Sequence, residues 1–170
     1  IMKAKNHIRT TMIFLFILSL IFAKKSSAQI QSMAGPRIGV TIIAPGETAD
    51  FLNKNEGKAA FTTQYGWQWE SRFTSGTEFV GLVEWIVVMG GMERGKLMPS
   101  ISSIVGFRNA KGLEIGMGPN LSLGGIGMVF GFGMNYTSGN LNLPINLVII
   151  PPKEDSGFAV SVMLGFNMSK

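Results

Sequence analysis

From residue 59 onward, large apolar side chains alternate with small or polar ones at a period of two. In the segment 141–149, for example, Leu143, Ile145 and Leu147 alternate with Asn142 and Asn146. A strand places successive side chains on opposite faces, whereas a helix would scatter this pattern around its axis. The pattern therefore predicts β-strands. With one segment nearer the start there are eight, which we place at residues 37–44, 61–73, 77–89, 97–108, 113–121, 126–136, 141–149 and 158–168.

The connections between these strands differ in length in a regular way. The first, third and seventh are long, at residues 45–58, 90–96 and 151–156, whereas the second, fourth and sixth are tight turns rich in Gly, Ser and Asn, as hairpins require. An up-and-down barrel places odd and even connections at opposite rims, and outer-membrane barrels have long loops outside and short turns in the periplasm. The lengths therefore predict such a barrel, although the fifth connection, at residues 122–125, is also short.

The two faces of the predicted sheet differ in a way that indicates the surrounding solvent. Opposite the apolar face, the last four strands carry Gly, Ala, Ser and Asn with few charges. A soluble barrel buries its apolar face and exposes a charged one, so this small face suits a narrow interior better. Turned outward, the apolar face would meet lipid, and closure of the sheet would satisfy every backbone hydrogen bond. The fold class we predict is all-β, an eight-stranded antiparallel up-and-down transmembrane β-barrel whose lumen is too filled for a general diffusion pore.

The inward glycines of these strands would relieve crowding around the barrel axis. We expect them to leave room for a bulky inward group such as Arg72 or Arg108. The glycines in question are Gly116, Gly118, Gly127, Gly131 and Gly133.

The net charge of +5 lies entirely in the first 28 residues. These carry five of the 15 basic residues and no acid, so residues 29–170 hold ten basic and ten acidic residues and are neutral. Nucleic-acid binding needs clustered Lys and Arg, and we predict no nucleic-acid partner. Lys3, Lys5 and Arg9, the apolar run 12–23 and the small residues 26–28 have the order of a secretory signal peptide. We therefore expect a cleaved signal peptide at 1–28, an outer-membrane barrel domain at 29–170 and a location in the cell outer membrane.

Several segments of the chain resemble a known class of protein. They are the signal peptide followed by Gln29, the run from Gly116 through Pro119 to Leu123, the run from Ser138 to Pro144, and the ending Leu164-Gly165-Phe166-Asn167-Met168. In these the chain resembles the small eight-stranded outer-membrane barrels of the OmpA/OmpX-like class, and in detail uncharacterised Bacteroidota outer-membrane barrel proteins. The resemblance implies the barrel architecture and no particular activity. Members of this class commonly end in an aromatic residue, whereas here Met168, Ser169 and Lys170 follow Phe166.

The chemistry open to the mature chain is narrow. The single histidine, His7, lies in the leader and there is no cysteine, so Ser-His-Asp triads, Cys-His pairs and the common zinc sites are excluded. We predict a non-enzymatic protein with no catalytic residue, no cofactor and no metal site. The alternative of a carboxylate-dependent outer-membrane enzyme would use Glu70, Glu84 or Glu114.

Polar residues on the inward face form a candidate lumen network of ion pairs and amide hydrogen bonds, since buried charges need such partners. They are Gln64, Gln68, Glu70, Arg72, Glu84, Arg108, Glu114, Asn120, Asn135, Asn142 and Asn146. Outward aromatic residues form a candidate interfacial girdle, with ordinary packing at intermediate depth as the alternative. They are Tyr65, Trp67, Trp69, Trp85 and Tyr136.

The expected partners are outer-membrane lipid and, through the loops, an envelope protein or a glycan. The charged loops 45–58 and 151–156, including Lys153, are expected to carry mainly solvated charges. The sequence favours a structural, envelope-integrity or partner-docking role. A different class remains as an alternative, namely a soluble periplasmic or secreted β-barrel that binds an apolar ligand within its Phe and Met face.

Overall fold

The computed structural model describes residues 30–54, 57–74, 78–139, 141–153 and 156–169. The predicted signal peptide at 1–28, and with it Gln29, lies outside the described residues. Strands dominate the described chain, as the alternation of side chains predicts. Their bounds are β1 Ile30–Ile43, β2 Ala60–Thr74, β3 Phe79–Gly90, β4 Met98–Asn109, β5 Leu113–Ser122, β6 Gly125–Ser138, β7 Leu141–Ile150, β8 Ala159–Gly165 and β9 Asn167–Ser169.

These strands close into one antiparallel barrel. Each strand from β2 to β7 pairs with its neighbours in sequence, and β1 pairs with β2 on one side and with β8 and β9 on the other. Segments β8 and β9 keep the same register against β1, so together they form the eighth strand of the barrel. Closure leaves no free sheet edge, which satisfies the backbone hydrogen-bonding groups without exposing a template for pairing with other chains.

Proline explains the interruption between β8 and β9. Continuing the registers places Pro36 opposite Phe166 and Pro144 opposite Gly165. Because proline has no backbone N–H, it donates no ladder hydrogen bond. Pro119 has the same effect between β4 and β5, where the pairing skips Ser103 and Ile104. The eighth strand, predicted as continuous over 158–168, is therefore broken at one residue.

The side chains sort between the two faces as the fold requires. Phe107 is 60% exposed and Val105 is 58% exposed on the outside of β4, whereas Ile104 and Arg108 of the same strand are buried. Phe132, Leu147 and Val162 likewise remain exposed. The alternative of a soluble barrel requires this apolar face to line an internal ligand cavity. In the structure the apolar face lies on the outside of the barrel. That prediction is wrong because the small and polar face fills the interior.

The two rims of the barrel differ, and we name them by their connections. The turn rim carries both ends of the described chain and the short connections after β2, β4 and β6. The loop rim carries the connections after β1, β3, β5 and β7. On the loop rim, helix α1 (Glu47–Asn53) places Ala49 and Leu52 over the barrel mouth, where they pack with Ile43 and Ala60. A short 3-10 helix, Met92–Arg94, lies in the connection after β3.

Two boundaries differ from the sequence prediction. Strand β1 begins at Ile30 and not at residue 37, because its first half pairs with the long β2 from Ile30 opposite Phe73 onward. The connection predicted at 45–58 contains α1, whose seven residues are too few to show a helical period in the sequence. Among the described residues, no helix combines the length and apolar character needed to cross a membrane.

Candidate functional site in the barrel interior

The densest polar cluster of the interior centres on the carboxylate of Glu70, which is 1% exposed. Arg108 donates to it through Nη1 at 2.9 Å and Nη2 at 3.0 Å, in the two-pronged geometry that suits a guanidinium and a carboxylate. Arg72 donates from Nε to Glu70 Oε1 at 2.5 Å, and Asn167 Nδ2 donates to Oε2 at 3.3 Å. Glu70 thus joins side chains from β2, β4 and β9.

Neighbouring strands supply the remaining charges of this cluster. Arg108 lies directly opposite Glu114 in the register of β4 and β5, and its Nε donates to Glu114 Oε1. Glu70, Glu114, Arg72 and Arg108 therefore form a group of two carboxylates and two guanidiniums with no net charge. Pairing of this kind is needed in a closed interior, because an isolated buried charge is very costly.

A second chain of hydrogen bonds crosses the first three strands. Arg37 Nε donates to Gln68 Oε1 at 2.7 Å, and Gln68 Nε2 donates to Glu84 Oε1 at 2.6 Å. Sequence reasoning did not include Arg37 among the lumen residues. The signal was present, since Arg37 alternates with the outward Ile38 and Val40, but the strand was predicted to begin there and the pattern had no preceding residues to support it.

Near the turn rim, Asn142 ties together three further side chains. Its Oδ1 accepts from Asn135 Nδ2 at 3.0 Å, Thr137 Oγ1 at 3.1 Å and Arg72 Nη2 at 3.3 Å. Eight of the predicted lumen residues therefore lie in connected or adjacent hydrogen-bonded groups. Together with Arg37 and Asn167, which were not predicted, they form what we call the ionic layer. Its members are Arg37, Gln68, Glu70, Arg72, Glu84, Arg108, Glu114, Asn135, Asn142 and Asn167.

An apolar layer lies beyond the ionic layer on the side of the loop rim. Six buried residues from β3, β4, β6, β7 and β8 pack together there, and they are Ile86, Val88, Ile104, Val129, Val148 and Met163. The cavity between this layer and the ionic layer has a volume of about 20 Å³, enough for about one water molecule. Among the described residues, the interior is therefore packed at this level.

A third layer of polar groups lies between the apolar layer and the loop rim. Asn120 Nδ2 donates to Ser100 Oγ at 2.7 Å and to Ser102 Oγ at 2.9 Å. The hydroxyls of Thr41 and Ser161 share a hydrogen bond of 2.7 Å across the junction of β1 and β8. Asn120, predicted as part of one lumen network, thus belongs to a layer separate from the ionic residues.

Lys153 enters this third layer from the connection after β7. Its Nζ donates to Asn120 Oδ1 at 2.9 Å and to the carbonyl of Gly125 at 2.8 Å, with Ser122 Oγ at 3.4 Å. Burial lowers the pKa of this ammonium group. The expectation that Lys153 is a solvated loop charge is wrong, because its side chain bends into the barrel mouth and finds oxygen acceptors there.

Two predicted lumen residues remain outside these hydrogen-bonded groups. Gln64 is half-buried and lines the cavity below the loop rim. Asn146 lies inward on β7, and its buried Oδ1 has no hydrogen-bond partner among the described residues. Asn146 lines the same small cavity as Glu84 and Glu114 but makes no hydrogen bond to either carboxylate.

Glycines make room for particular side chains, but not for the ones predicted. A Cβ on Gly127 would meet the Lys153 side chain, and a Cβ on Gly165 would meet Arg37. A Cβ on Gly133 would come within 3.2 Å of Asn146. The contacts made by Arg72 and Arg108 do not involve the predicted glycine column, because both guanidiniums extend towards Glu70 instead.

The outward aromatic residues lie at different depths. Trp69 faces Trp85 across β2 and β3, with Trp67 two residues along, in the middle of these strands. Tyr136 lies two residues before the end of β6 at the turn rim, and Tyr65 lies on β2 opposite Met89. All five side chains are 44–56% exposed. A girdle remains a prediction, and Tyr136 has the position that suits it best.

The fold and its interior define a class, the small closed β-barrel with an apolar exterior and a filled polar lumen. No family model matches this chain, and no curated protein matches it in sequence. Among solved structures, it is similar to the attachment invasion locus protein Ail of Yersinia pestis, solved in complex with the heparin analogue sucrose octasulfate. That likeness has 9% identity and a TM-score of 0.51, and it covers 82% of this chain and 99% of Ail.

Two further structures superpose too poorly to support an argument. One comes from the de novo design of transmembrane β-barrels, with 13% identity, a TM-score of 0.48, and 82% and 95% of the two chains covered. The other is a second structure of Ail, with 14% identity, a TM-score of 0.29, and 84% and 99% covered. The predicted fold class, a closed eight-stranded antiparallel barrel of the transmembrane type, is confirmed. Membership of the OmpA/OmpX-like class and of the Bacteroidota proteins stays a prediction.

Proposed function

We propose that the chain is an integral outer-membrane β-barrel protein without enzymatic activity, with a sealed lumen and a structural or partner-docking role. The observation that carries this proposal is the exterior, where each of the strands β1 to β8 presents large apolar side chains. Ile126 is 79% exposed and Phe107 is 60% exposed, for example. Soluble monomers rarely expose contiguous apolar patches beyond a few hundred Å², whereas a closed barrel in lipid requires such an exterior.

The packed interior supports a role other than transport. The ionic layer is followed by the apolar layer, and the cavity at their junction has a volume of about 20 Å³. In barrels of this size the interior is just wide enough for side chains to fill. We therefore propose that the protein does not act as a general diffusion pore.

The rims support an orientation. Outer-membrane barrels have short turns in the periplasm and longer loops outside, so the loop rim with α1 would face the exterior of the cell. Export by the predicted signal peptide at 1–28 is part of this proposal.

The loop rim has features of a docking surface. Phe51 on α1 is 44% exposed and lies under Lys96, whose Nζ is 4.3 Å from the ring centroid. Leu97 and Met92 are also exposed beside them. A mixed apolar and basic surface suits an envelope protein or a glycan. The sucrose octasulfate ligand belongs to Ail, and at 9% identity it indicates no ligand for this chain.

The carboxylate-dependent enzyme is the less favoured function. Glu70 and Glu114 bond to guanidiniums and Glu84 bonds to Gln68. A general acid or base needs access to substrate, and these three groups are committed to partners in the closed interior.

Fractionation tests the membrane proposal directly. The expressed protein should be recovered in the outer-membrane fraction and should migrate differently in gels with and without heating. A matched pair of variants sharpens the test. Leu147→Arg, in the middle of β7, should cost about 2–4 kcal/mol of stability in lipid, and Leu123→Arg, at the rim, about 0–1 kcal/mol. A monodisperse protein in plain buffer, with both variants equally tolerated, would show that the proposal is wrong.

A further inference from the structure

The mouth of the barrel at the turn rim contains a second polar cavity, distinct from the sealed interior. It is open to solvent and has a volume of about 310 Å³. The turn between β4 and β5 and the end of β6 form its walls. Its principal residues are Arg72, Arg108, Lys111, Asn135 and Tyr136. Pockets for small ligands begin at about this size.

The cations around this cavity are only partly neutralised. Glu70 and Glu114 balance Arg72 and Arg108 in the ionic layer. Lys111 is exposed, and no described carboxylate lies within ion-pair distance of it. The rim of the cavity therefore carries one uncompensated positive charge. Glu78 lies in the neighbouring turn and does not line the cavity.

Hydrogen-bonding capacity also remains at the cavity. Arg72 uses Nε for Glu70 and Nη2 for Asn142, and no described residue accepts from its Nη1. Asn135 is 7% exposed, and its Oδ1 has no partner among the described residues; as an acceptor it suits an N–H or O–H elsewhere on a ligand and not a carboxylate. Two cationic donors, one from Arg72 and one from Lys111, thus lie around a space of ligand size.

From this geometry we infer that the turn-rim cavity binds a small carboxylate-bearing group. The carboxylate would accept hydrogen bonds from Arg72 Nη1 and Lys111 Nζ, and the rest of the ligand would lie against the turn at residues 109–112. Such a carboxylate occurs at the end of a peptide or on an acidic sugar. That this ligand lies in the periplasm depends on the proposed function, but the binding itself does not.

The test is an NMR titration of the full barrel in neutral maltoside micelles, after heat-modifiable migration has shown that it is folded. The probes are N-acetylalanine with its amide, and galacturonate with galactose. The acids should shift the backbone amides of residues 109–112 and 135–137, and their neutral counterparts should not. A response to N-acetylalanine alone would identify a peptide terminus, a response to galacturonate alone an acidic sugar, and a response to both recognition of the carboxylate itself.

Lys111→Gln provides the site-specific check, because Lys111 is an exposed turn residue whose replacement leaves the ionic layer intact. It should weaken binding about fivefold, since an exposed charge pair is worth up to about 1 kcal/mol. Lys58→Gln, at the loop rim, is the matched control and should leave binding unchanged. Equal responses to the acids and their neutral counterparts, no response to either acid, or equal affinity of Lys111→Gln and the unaltered protein would overturn the inference. A folded barrel with no response would leave the membrane proposal standing.

Discussion

Replacing Glu70 by glutamine removes the one carboxylate that two guanidiniums share. Arg72 and Arg108 make three of its hydrogen bonds and Asn167 makes the fourth. In Glu70→Gln the side chain keeps its shape and one carbonyl acceptor, but Arg72 loses the carboxylate it pairs with and Arg108 keeps only Glu114. Breaking a buried ion pair from one side costs about 3–5 kcal/mol. Because the amide retains part of the hydrogen bonding, we expect a loss near the lower end, about 3 kcal/mol.

Urea unfolding in lipid vesicles measures this loss, and tryptophan fluorescence can follow it. Trp69 adjoins Glu70 on the opposite face of β2 and is exposed on the outside of the barrel, so its emission should change as the barrel leaves the lipid. Glu78→Gln is the matched control, because Glu78 is exposed in a turn and should change stability by about 0.5 kcal/mol or less. A loss below about 1 kcal/mol in Glu70→Gln would refute the view that this carboxylate holds the ionic layer together.

Three further changes test other parts of the interior. Gly165→Ala should destabilise the barrel by about 1–3 kcal/mol in the same unfolding assay, because the added Cβ would force the Arg37 guanidinium aside. Gly81→Ala should have little effect, because the nearest atom to its Cβ is the Phe73 carbonyl oxygen at 3.6 Å. Lys153→Met should cost about 1–3 kcal/mol by leaving its buried acceptors unpaired and should speed proteolysis of the connection after β7, whereas Lys58→Met should do neither. The unaltered barrel should show no steady conductance in a planar bilayer, and Ile104→Gly should introduce current steps by opening the apolar layer; silence in both would indicate that other layers also seal the lumen.

The strands could be predicted from the sequence because their pattern is strictly local. A period of two identifies a strand without knowledge of its neighbours, and the contrast between Phe132 and Gly133 indicates which face is outside. The start of β1 could not be predicted this way. Its first half, around Gly35 and Pro36, has no clear alternation and is held in place by pairing with β2, a partner many residues away.

The sequence predicts which residues point into the interior, but it does not predict which of them contact each other. The inward positions of Glu70 and Arg108 follow from alternation, yet their contact depends on the stagger of strands around the barrel. Lys153 shows the limit most clearly. Nothing in its loop sequence indicates that it turns inward, because the oxygens that receive it belong to Asn120 and Gly125, on other elements.

The junction of β1 with β8 and β9 joins the two ends of the chain. Contacts across it, such as that between Thr41 and Ser161, link positions 120 residues apart, while every other pair of neighbouring strands is consecutive in the chain when β8 and β9 count as one strand. Bringing distant segments together carries the largest entropic cost, so we expect these contacts to form late in folding. Until this junction forms, the sheet has two unpaired edges, one at β1 and one at β8 and β9. Pro36, opposite Phe166, gives the junction one ladder hydrogen bond fewer.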